Sequence, residues 1–168
     1  MKRLELIPFV IALLIKIGLN FEPLRFMIYL FIYPVSTLVE FLTTTQSTYI
    51  LNQGYLNEEL SIIIDSSCSG INFFVIFTLV LGFQVSQLKL ATNHWKISSG
   101  IVLLIAFFST IVINAIRITL AAIYEPLISS HVMHRLHALE GILIYGLFIF
   151  LFSLLFNRTT ELLNLDTK

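Results

Sequence analysis

Long apolar stretches alternate with short polar intervals along this chain of 168 residues. A helix needs about 20 mostly apolar residues to cross the hydrocarbon core of a bilayer. Four stretches meet this requirement, at 24–42, 71–88, 97–123 and 138–156. The pattern therefore predicts four membrane-spanning helices, the third of which is long enough to tilt or to project beyond the core.

A further apolar stretch, 4–19, is shorter and carries Pro8 near its start and Lys16 near its end. It can form a short fifth span or a helix that lies in the plane of the membrane. It also resembles an uncleaved signal anchor, because no small-residue cleavage site follows it. The expected fold is an all-α, polytopic transmembrane helical bundle with four or five spans.

Two polar intervals, 43–69 and 125–136, separate the predicted spans. We expect both to be loops, and the β-branched run 60–65 within the first predicts a short strand. The chain contains no evident linker, low-complexity tract or internal repeat, so 1–168 is interpreted as a single membrane-embedded domain.

The placement of lysine and arginine predicts the orientation, because cytoplasmic loops carry an excess of both. The connector 89–96 contains two lysines, and the C-terminal tail carries Arg158 and Lys168. If these lie in the cytoplasm, both polar intervals face the extracytoplasmic side. If the first helix also spans the membrane, the N-terminus lies outside. Lys2 and Arg3 would then lie on the side where basic residues are not expected, so the N-terminal topology stays open.

The composition agrees with a membrane protein. Hydrophobic residues make up 57% of the chain and charged residues 12%, against about 25% charged residues in soluble domains. So few polar groups cannot cover the surface of a soluble globule of this length. The formal net charge of zero provides no basic surface for a nucleic acid. A single cysteine excludes a disulfide framework and a multi-thiolate zinc site.

Three reactive side chains fall at the predicted outer ends of three spans. Cys68 directly precedes one span, and His137 opens the last one. Arg117 follows Lys96 by about 21 residues, which at about 1.5 Å per residue places it roughly 30 Å away, near the outer boundary. A charged residue in a membrane helix is costly and suggests a functional site. Asn114 lies on the same helix face and extends a polar stripe.

The three side chains together suit acyl transfer through a thioester. A cysteine becomes nucleophilic where a cation or a helix N-terminus favours its thiolate. Histidine can transfer a proton to a leaving amine, and arginine can hold a developing oxyanion or a carboxylate. Simpler roles stay open, because Cys68 can be a small buried hydrophobe, His137 a structural hydrogen-bonding group and Arg117 a residue that snorkels to headgroups. These simpler roles do not explain why all three residues are predicted at the same depth in the membrane.

A metal site has weaker support. His131, His134 and His137 recur at intervals of three residues, with Glu140 three residues further on. No HExxH motif accompanies them, and no nucleotide-binding motif occurs in the chain. We therefore expect neither a metal nor a cofactor.

Three motifs occur in order along the chain: Cys68–Asn72, then Asn114–Ile118, then His137 followed after three residues by Gly141. Their order and their placement at helix ends resemble the exosortase/archaeosortase family, a group of multi-spanning membrane proteins of prokaryotes. The resemblance covers about 62–146. The short chain is similar to a compact exosortase subtype, and its N-terminal spans differ from those of the longer members.

The resemblance implies a cysteine transpeptidase of the cytoplasmic membrane with its active site on the extracytoplasmic side. Its partners would be secreted proteins that end in a short motif, a transmembrane helix and a basic cluster. The enzyme would cut at the motif and pass the protein to an acceptor. By resemblance, Cys68 is the nucleophile, Arg117 holds the substrate carbonyl, and His137 is the acid and base, with His134 as the competing imidazole.

Two asparagines, Asn72 and Asn114, each lie a helical step from a proposed catalytic residue and are expected to orient that residue or the substrate backbone. Two other functions stay open. A non-catalytic membrane scaffold would use Arg117 as an interhelical pin and would not need Cys68. A small transporter would be expected to show repeats and interrupted helices, and the sequence shows neither. The target motif, the acceptor and the choice between transfer and hydrolysis are not predicted.

Overall fold

The computed structural model describes residues 7–18, 29–51, 53–87, 95–124 and 130–165, with backbone alone for 95, 130–138 and 161–165. The described helices are α1 (Ile7–Gly18), α2 (Tyr29–Thr43), α3 (Ile71–Ser86), α4 (Trp95–Tyr124) and α5 (Ser130–Leu165). Between α2 and α3 lie the strands β1 (Thr48–Ile50), β2 (Gly54–Asn57) and β3 (Ile62–Ile64), followed by a 3-10 turn at Ser66–Ser69.

Three helical segments are long and apolar enough to cross a membrane: Ser66–Ser86, Lys96–Tyr124 and Leu139–Thr160. They coincide with three of the predicted spans, at 71–88, 97–123 and 138–156. The mostly helical character of the chain, with three such helices, is thereby confirmed. Helix α4, with 30 residues, is about 45 Å long and exceeds the roughly 30 Å hydrocarbon core.

The other two helices are shorter. Helix α2 has 15 residues and a length of about 22 Å, and α1 has 12 residues and a length of about 18 Å. Residues 24–28 of the predicted span 24–42 lie outside the described part of the chain. Helix length among the described residues thus supports three spans, and the fourth and fifth spans stay predictions.

The interval 43–69 is more ordered than a loop. It folds into a three-stranded antiparallel sheet in the order β1-β2-β3, with Tyr49 opposite Tyr55 and Leu56 opposite Ile63. The strand predicted within 60–65 is confirmed as β3, whereas β1 and β2 were not expected. The described fold is therefore a helical bundle with a small sheet and is not purely α-helical.

The interval 125–136 also differs from the prediction. Helix α5 begins at Ser130, so 130–136 is helical instead of a loop. This segment contains no glycine or proline to interrupt a helix, and its backbone hydrogen bonds continue into the following span. Residues 125–129 lie outside the described part of the chain.

Two apolar clusters hold the bundle together. The first joins all five helices around Phe73 and Phe77 of α3. Phe73 stacks on Tyr145 of α5 with ring centroids 4.5 Å apart. Phe77 meets Phe152 of α5 edge to face, with ring centroids 5.0 Å apart. These ring contacts attach α5 to α3.

The second cluster packs the sheet against α2 and α4. Its buried members are Ile32, Val35 and Val39 of α2, Ile64 of β3, and Ile111, Ala115 and Ile118 of α4. The helical members recur at intervals of three and four residues, which places them on one face of each helix. Because β3 leads directly into the 3-10 turn, this cluster brings the turn beside the C-terminal half of α4.

Candidate functional site

The 3-10 turn presents Cys68 at the point where the chain leaves the sheet. Asp65 caps the turn, and its Oδ1 accepts hydrogen bonds from Ser67 N at 2.8 Å and Ser67 Oγ at 2.6 Å. Cys68 N donates to the Asp65 carbonyl oxygen at 3.0 Å. The thiol is half-buried, with its Sγ 3.9 Å from Ser67 Oγ. Because an aspartate cap satisfies amide groups that the turn leaves unpaired, these bonds hold Cys68 in place.

Gly70 connects the turn to α3 through a left-handed conformation, with φ 70° and ψ 10°. A Cβ atom at this position would lie 3.0 Å from Thr110 Cγ2 and 3.1 Å from Asn114 Cγ. The glycine therefore serves two purposes, since it accepts a positive φ and lets the start of α3 approach α4 closely.

Asn114 links the turn to two helices. Its side chain is fully buried, and its Nδ2 donates to the carbonyl oxygen of Cys68. Its Oδ1 accepts a hydrogen bond from Tyr145 Oη of α5 at 2.8 Å. Buried amides need partners for both ends, and the need is greater where water is excluded. Asn114 of α4 thus joins the cysteine turn to α5.

Arg117 lies one helical turn beyond Asn114 and packs against α5. Its Cζ is 5.7 Å from the centroid of the Tyr145 ring, within the range of a cation–π interaction. A Cβ at Gly141 would lie 3.5 Å from Arg117 Nη1. The guanidinium is therefore adjacent to both Gly141 and Tyr145.

Tyr145 is the residue at which these contacts meet, and the sequence analysis missed it. Besides its contact with Arg117, it bonds to Asn114, whose amide in turn holds the Cys68 carbonyl. The structure thus brings Cys68, Asn114 and Arg117, three of the predicted site residues, to one tyrosine. A signal was present in the sequence, because Tyr145 follows Gly141 by four residues, the spacing that returns a helix to the same face.

The remaining predicted residues are not brought into this group. Asn72 is exposed in the first turn of α3, as is Ile76 one turn later, so it lies apart from Asn114. His134 and His137 belong to the beginning of α5, but their side chains lie outside the described part of the chain. Their predicted roles are accordingly not tested.

The expectation that no metal is bound is also untested at the three histidines. Among the residues whose side chains are described, no group of three His, Cys, Asp or Glu is suited to hold a metal ion. The three histidines between 131 and 137 do not belong to that set.

Comparison with known proteins identifies no relative of this chain. The sequence matches no model of a protein family, and no curated protein or solved structure is significantly similar to it. The resemblance to the exosortase/archaeosortase family therefore rests on the three motifs alone.

Proposed function

We propose that this protein is a membrane cysteine peptidase or transpeptidase that acts on secreted proteins carrying a C-terminal sorting signal. The observation that supports the proposal is the connection among Cys68, Asn114, Arg117 and Tyr145. A cysteine and an arginine from separate elements share one hydrogen-bonded and stacked group. Such a group fixes the backbone of the cysteine turn relative to the helix that carries the arginine, and acyl transfer depends on positioning of this kind.

In the proposed reaction the Cys68 thiolate attacks the scissile carbonyl carbon, and a C–S bond forms while the carbonyl electrons move to oxygen. Arg117 stabilises that oxyanion. When the oxyanion collapses, the C–N bond breaks and His137 gives a proton to the leaving amine. The resulting thioester is attacked by an acceptor amine or by water, which loses a proton to His137, and the thiolate is released.

The position of the cysteine suits a substrate that is itself held in the membrane. Cys68 lies directly before α3, within an apolar helical segment long enough to cross a bilayer. A substrate anchored by its own helix would present the residues next to that helix at the same depth. We place the protein in the cytoplasmic membrane of a prokaryote, with this end of α3 on the extracytoplasmic side, because the lysines at 89 and 96 follow its other end.

The proposal is tested by following signal removal from a co-expressed substrate, chosen as a secreted protein that ends in an apolar helix and a basic tail. Cys68→Ala is expected to abolish processing without loss of the protein from the membrane. The matched control is Cys68→Ala combined with Ser66→Cys, which keeps a thiol in the same turn on an exposed residue. Processing by Cys68→Ala would contradict the mechanism, as would rescue by the displaced thiol.

The orientation is tested with a membrane-impermeant thiol reagent in intact cells. Cys68 is the only cysteine in the chain, so any labelling reports on this one site. We expect wild-type protein to be labelled from outside. Labelling only after the cytoplasmic face is opened would contradict the proposed sidedness.

A scaffold function has one observation in its favour. The contact of Arg117 with Tyr145 and Gly141 joins α4 to α5, as an interhelical pin would. This function predicts that Cys68→Ala retains full activity in cells while Arg117→Ala does not. The two functions therefore make opposite predictions for the cysteine.

A further inference from the structure

The hydroxyl and the ring of Tyr145 have different partners. Its hydroxyl donates to Asn114 Oδ1 at 2.8 Å, and the amide of Asn114 holds the carbonyl of Cys68. The guanidinium of Arg117 lies over its ring, with Cζ 5.7 Å from the ring centroid. One side chain of α5 is therefore connected to the cysteine turn through its polar end and to the arginine through its ring.

Packing restricts the orientation of this ring. Phe73 of α3 stacks on it with ring centroids 4.5 Å apart and an interplanar angle of 20°, and Phe73 is itself buried. The bond to Asn114 holds the hydroxyl at the far end of the same side chain. A stacked neighbour and a hydrogen bond together make the Tyr145 ring a fixed surface for the guanidinium.

Gly141 leaves room for the guanidinium on the same face of α5. It precedes Tyr145 by four residues, the spacing that returns a helix to one face. A Cβ at Gly141 would lie 3.5 Å from Arg117 Nη1, in van der Waals contact. A longer side chain at this position would therefore compete with the guanidinium for space. We call Gly141 and Tyr145 the arginine seat, in which the glycine provides space and the tyrosine provides a ring.

The arginine seat holds the cation without using its hydrogen-bond donors. A guanidinium has five N–H donors in one plane, and its attraction to a ring face requires none of them. A bidentate carboxylate partner, by contrast, would occupy two donors and offset the charge. The contact with Tyr145 therefore leaves the N–H groups of Arg117 for an oxyanion, such as the one that forms in the proposed reaction.

We propose that Tyr145 is a positioning residue that sets the direction of the Arg117 guanidinium relative to the cysteine turn, an inference that rests on the proposed peptidase function. The ring of Tyr145 orients the arginine, and its hydroxyl fixes the turn through Asn114. Because the oxyanion exists only during the reaction, loss of this alignment lowers kcat and leaves KM nearly unchanged.

The contacts are tested first by thermal unfolding of the full chain in detergent, which does not depend on any activity. In a double-mutant cycle, the shifts in melting temperature of Arg117→Ala and Tyr145→Leu are expected to be non-additive, because both variants remove the same contact. Those of Arg117→Ala and Tyr145→Phe are expected to be additive, since phenylalanine keeps the ring and lacks only the hydroxyl. Additive shifts in the first pair, or equal coupling in both pairs, would overturn the assignment of the ring to Arg117.

The positioning role is tested by measuring kcat and KM for cleavage of a purified secreted protein that ends in an apolar helix and a basic tail. Tyr145→Leu is expected to lower kcat about 30-fold, short of the roughly 100-fold that a misplacement of about 1 Å can cost, with KM within about twofold of wild type. Tyr145→Phe keeps the ring next to Arg117 and is expected to recover most of the rate, to within about threefold of wild type.

Phe148→Leu is the matched control. Phe148 also lies on α5, and its ring centroid is 5.3 Å from that of Phe77 of α3. The variant therefore removes a ring contact between the same two helices but leaves the arginine seat intact, and we expect it to retain the wild-type kcat. An unchanged kcat in Tyr145→Leu, or an equal loss in Phe148→Leu, would contradict the positioning role.

Failure of this proposal is distinguishable from failure of the proposed function. If the wild-type protein cleaves no such substrate, the peptidase function is contradicted and the role of Tyr145 in catalysis with it. The unfolding cycles still decide whether the ring holds Arg117. If the wild-type protein cleaves and Tyr145→Leu cleaves equally well, the function stands and the positioning role alone is overturned.

Discussion

The side-chain amide of Asn114 donates to the backbone carbonyl of Cys68, so a residue in the middle of α4 holds the cysteine turn that precedes α3. The same amide accepts from Tyr145 of α5. Three elements of the bundle are thus joined through one side chain that is completely buried. The first three predictions concern the consequences of this arrangement.

Replacing Asn114 by alanine should destabilise the bundle. The substitution leaves the Cys68 carbonyl and the Tyr145 hydroxyl without their partner, at an expected cost of about 1–3 kcal/mol. Thermal unfolding in detergent measures the effect. Thr110→Val is the control, because within the described residues Thr110 Oγ1 bonds to the Ala106 carbonyl of its own helix and to no other element, so its loss is expected to cost much less. Equal loss in both variants would contradict the bridging role of Asn114.

Gly70→Ala should be poorly tolerated. The new Cβ would adopt a positive φ and lie 3.0 Å from Thr110 Cγ2, for an expected cost of about 1–3 kcal/mol. Gly100→Ala on α4 is the control, since a Cβ there meets nothing within 4 Å. We expect that variant to retain or slightly exceed wild-type stability, by up to about 1 kcal/mol. Similar melting temperatures for the two variants would show that α3 and α4 are not closely packed at Gly70.

Tyr145→Phe should separate the two contacts of this residue. It removes the hydrogen bond to Asn114 but keeps the ring next to Arg117 and Phe73, so a loss of about 0.5–1.5 kcal/mol is expected. Tyr145→Leu also removes both ring contacts and should cost more. If the Tyr145 group serves catalysis, Tyr145→Phe should slow signal removal by more than the fall in folded protein explains.

The attachment of the sheet to α2 should weaken in alkaline solution. The hydrogen bond to Tyr29 raises the pKa of Tyr49 above its ordinary value of 10.0, and burial raises the pKa of Tyr55 in the same direction. A phenol whose pKa is raised by folding stabilises the fold below its ordinary pKa, and this contribution is lost as the pH rises through the folded pKa.

Thermal unfolding from about pH 8 to about pH 11, across the ordinary tyrosine pKa, is therefore expected to show falling stability at the alkaline end. Tyr49→Phe cannot ionise and lacks the bond to Tyr29, so it should be less stable at neutral pH and show a shallower alkaline decline. An unchanged decline in Tyr49→Phe would exclude this residue as a cause.

Much of the helical framework could be predicted from local pattern. The three long apolar segments became α3, α4 and the central part of α5, because a run of apolar residues favours a helix in a membrane whatever its neighbours are. Helical spacing also placed Asn114 and Arg117 on one face of α4. The predicted position of Cys68 at the outer end of a span placed it level with these residues of α4. In the structure Asn114 donates a hydrogen bond to the Cys68 carbonyl.

Other features depended on contacts between distant segments. Strands β1 and β2 are only three and four residues long, and their pairing was not predicted from the polar interval. Asn72 was expected to support the cysteine, but the approach of α3 to α4 turns Gly70 toward Asn114 and leaves Asn72 exposed. Tyr145 was overlooked because its importance comes from partners in α4 and not from its neighbours in sequence.

The sequence by itself determined the three long apolar helices and the polar face of α4 that carries Asn114 and Arg117, since each depends on residue type and helical spacing within one segment. The tertiary structure alone decided that one amide would hold the Cys68 carbonyl, that Tyr145 would meet Arg117, and that tyrosines of α2, β1 and β2 would lie side by side. Hydrogen bonds and ring contacts require particular atoms within a few ångströms, and only the packing of segments far apart in the chain sets those distances.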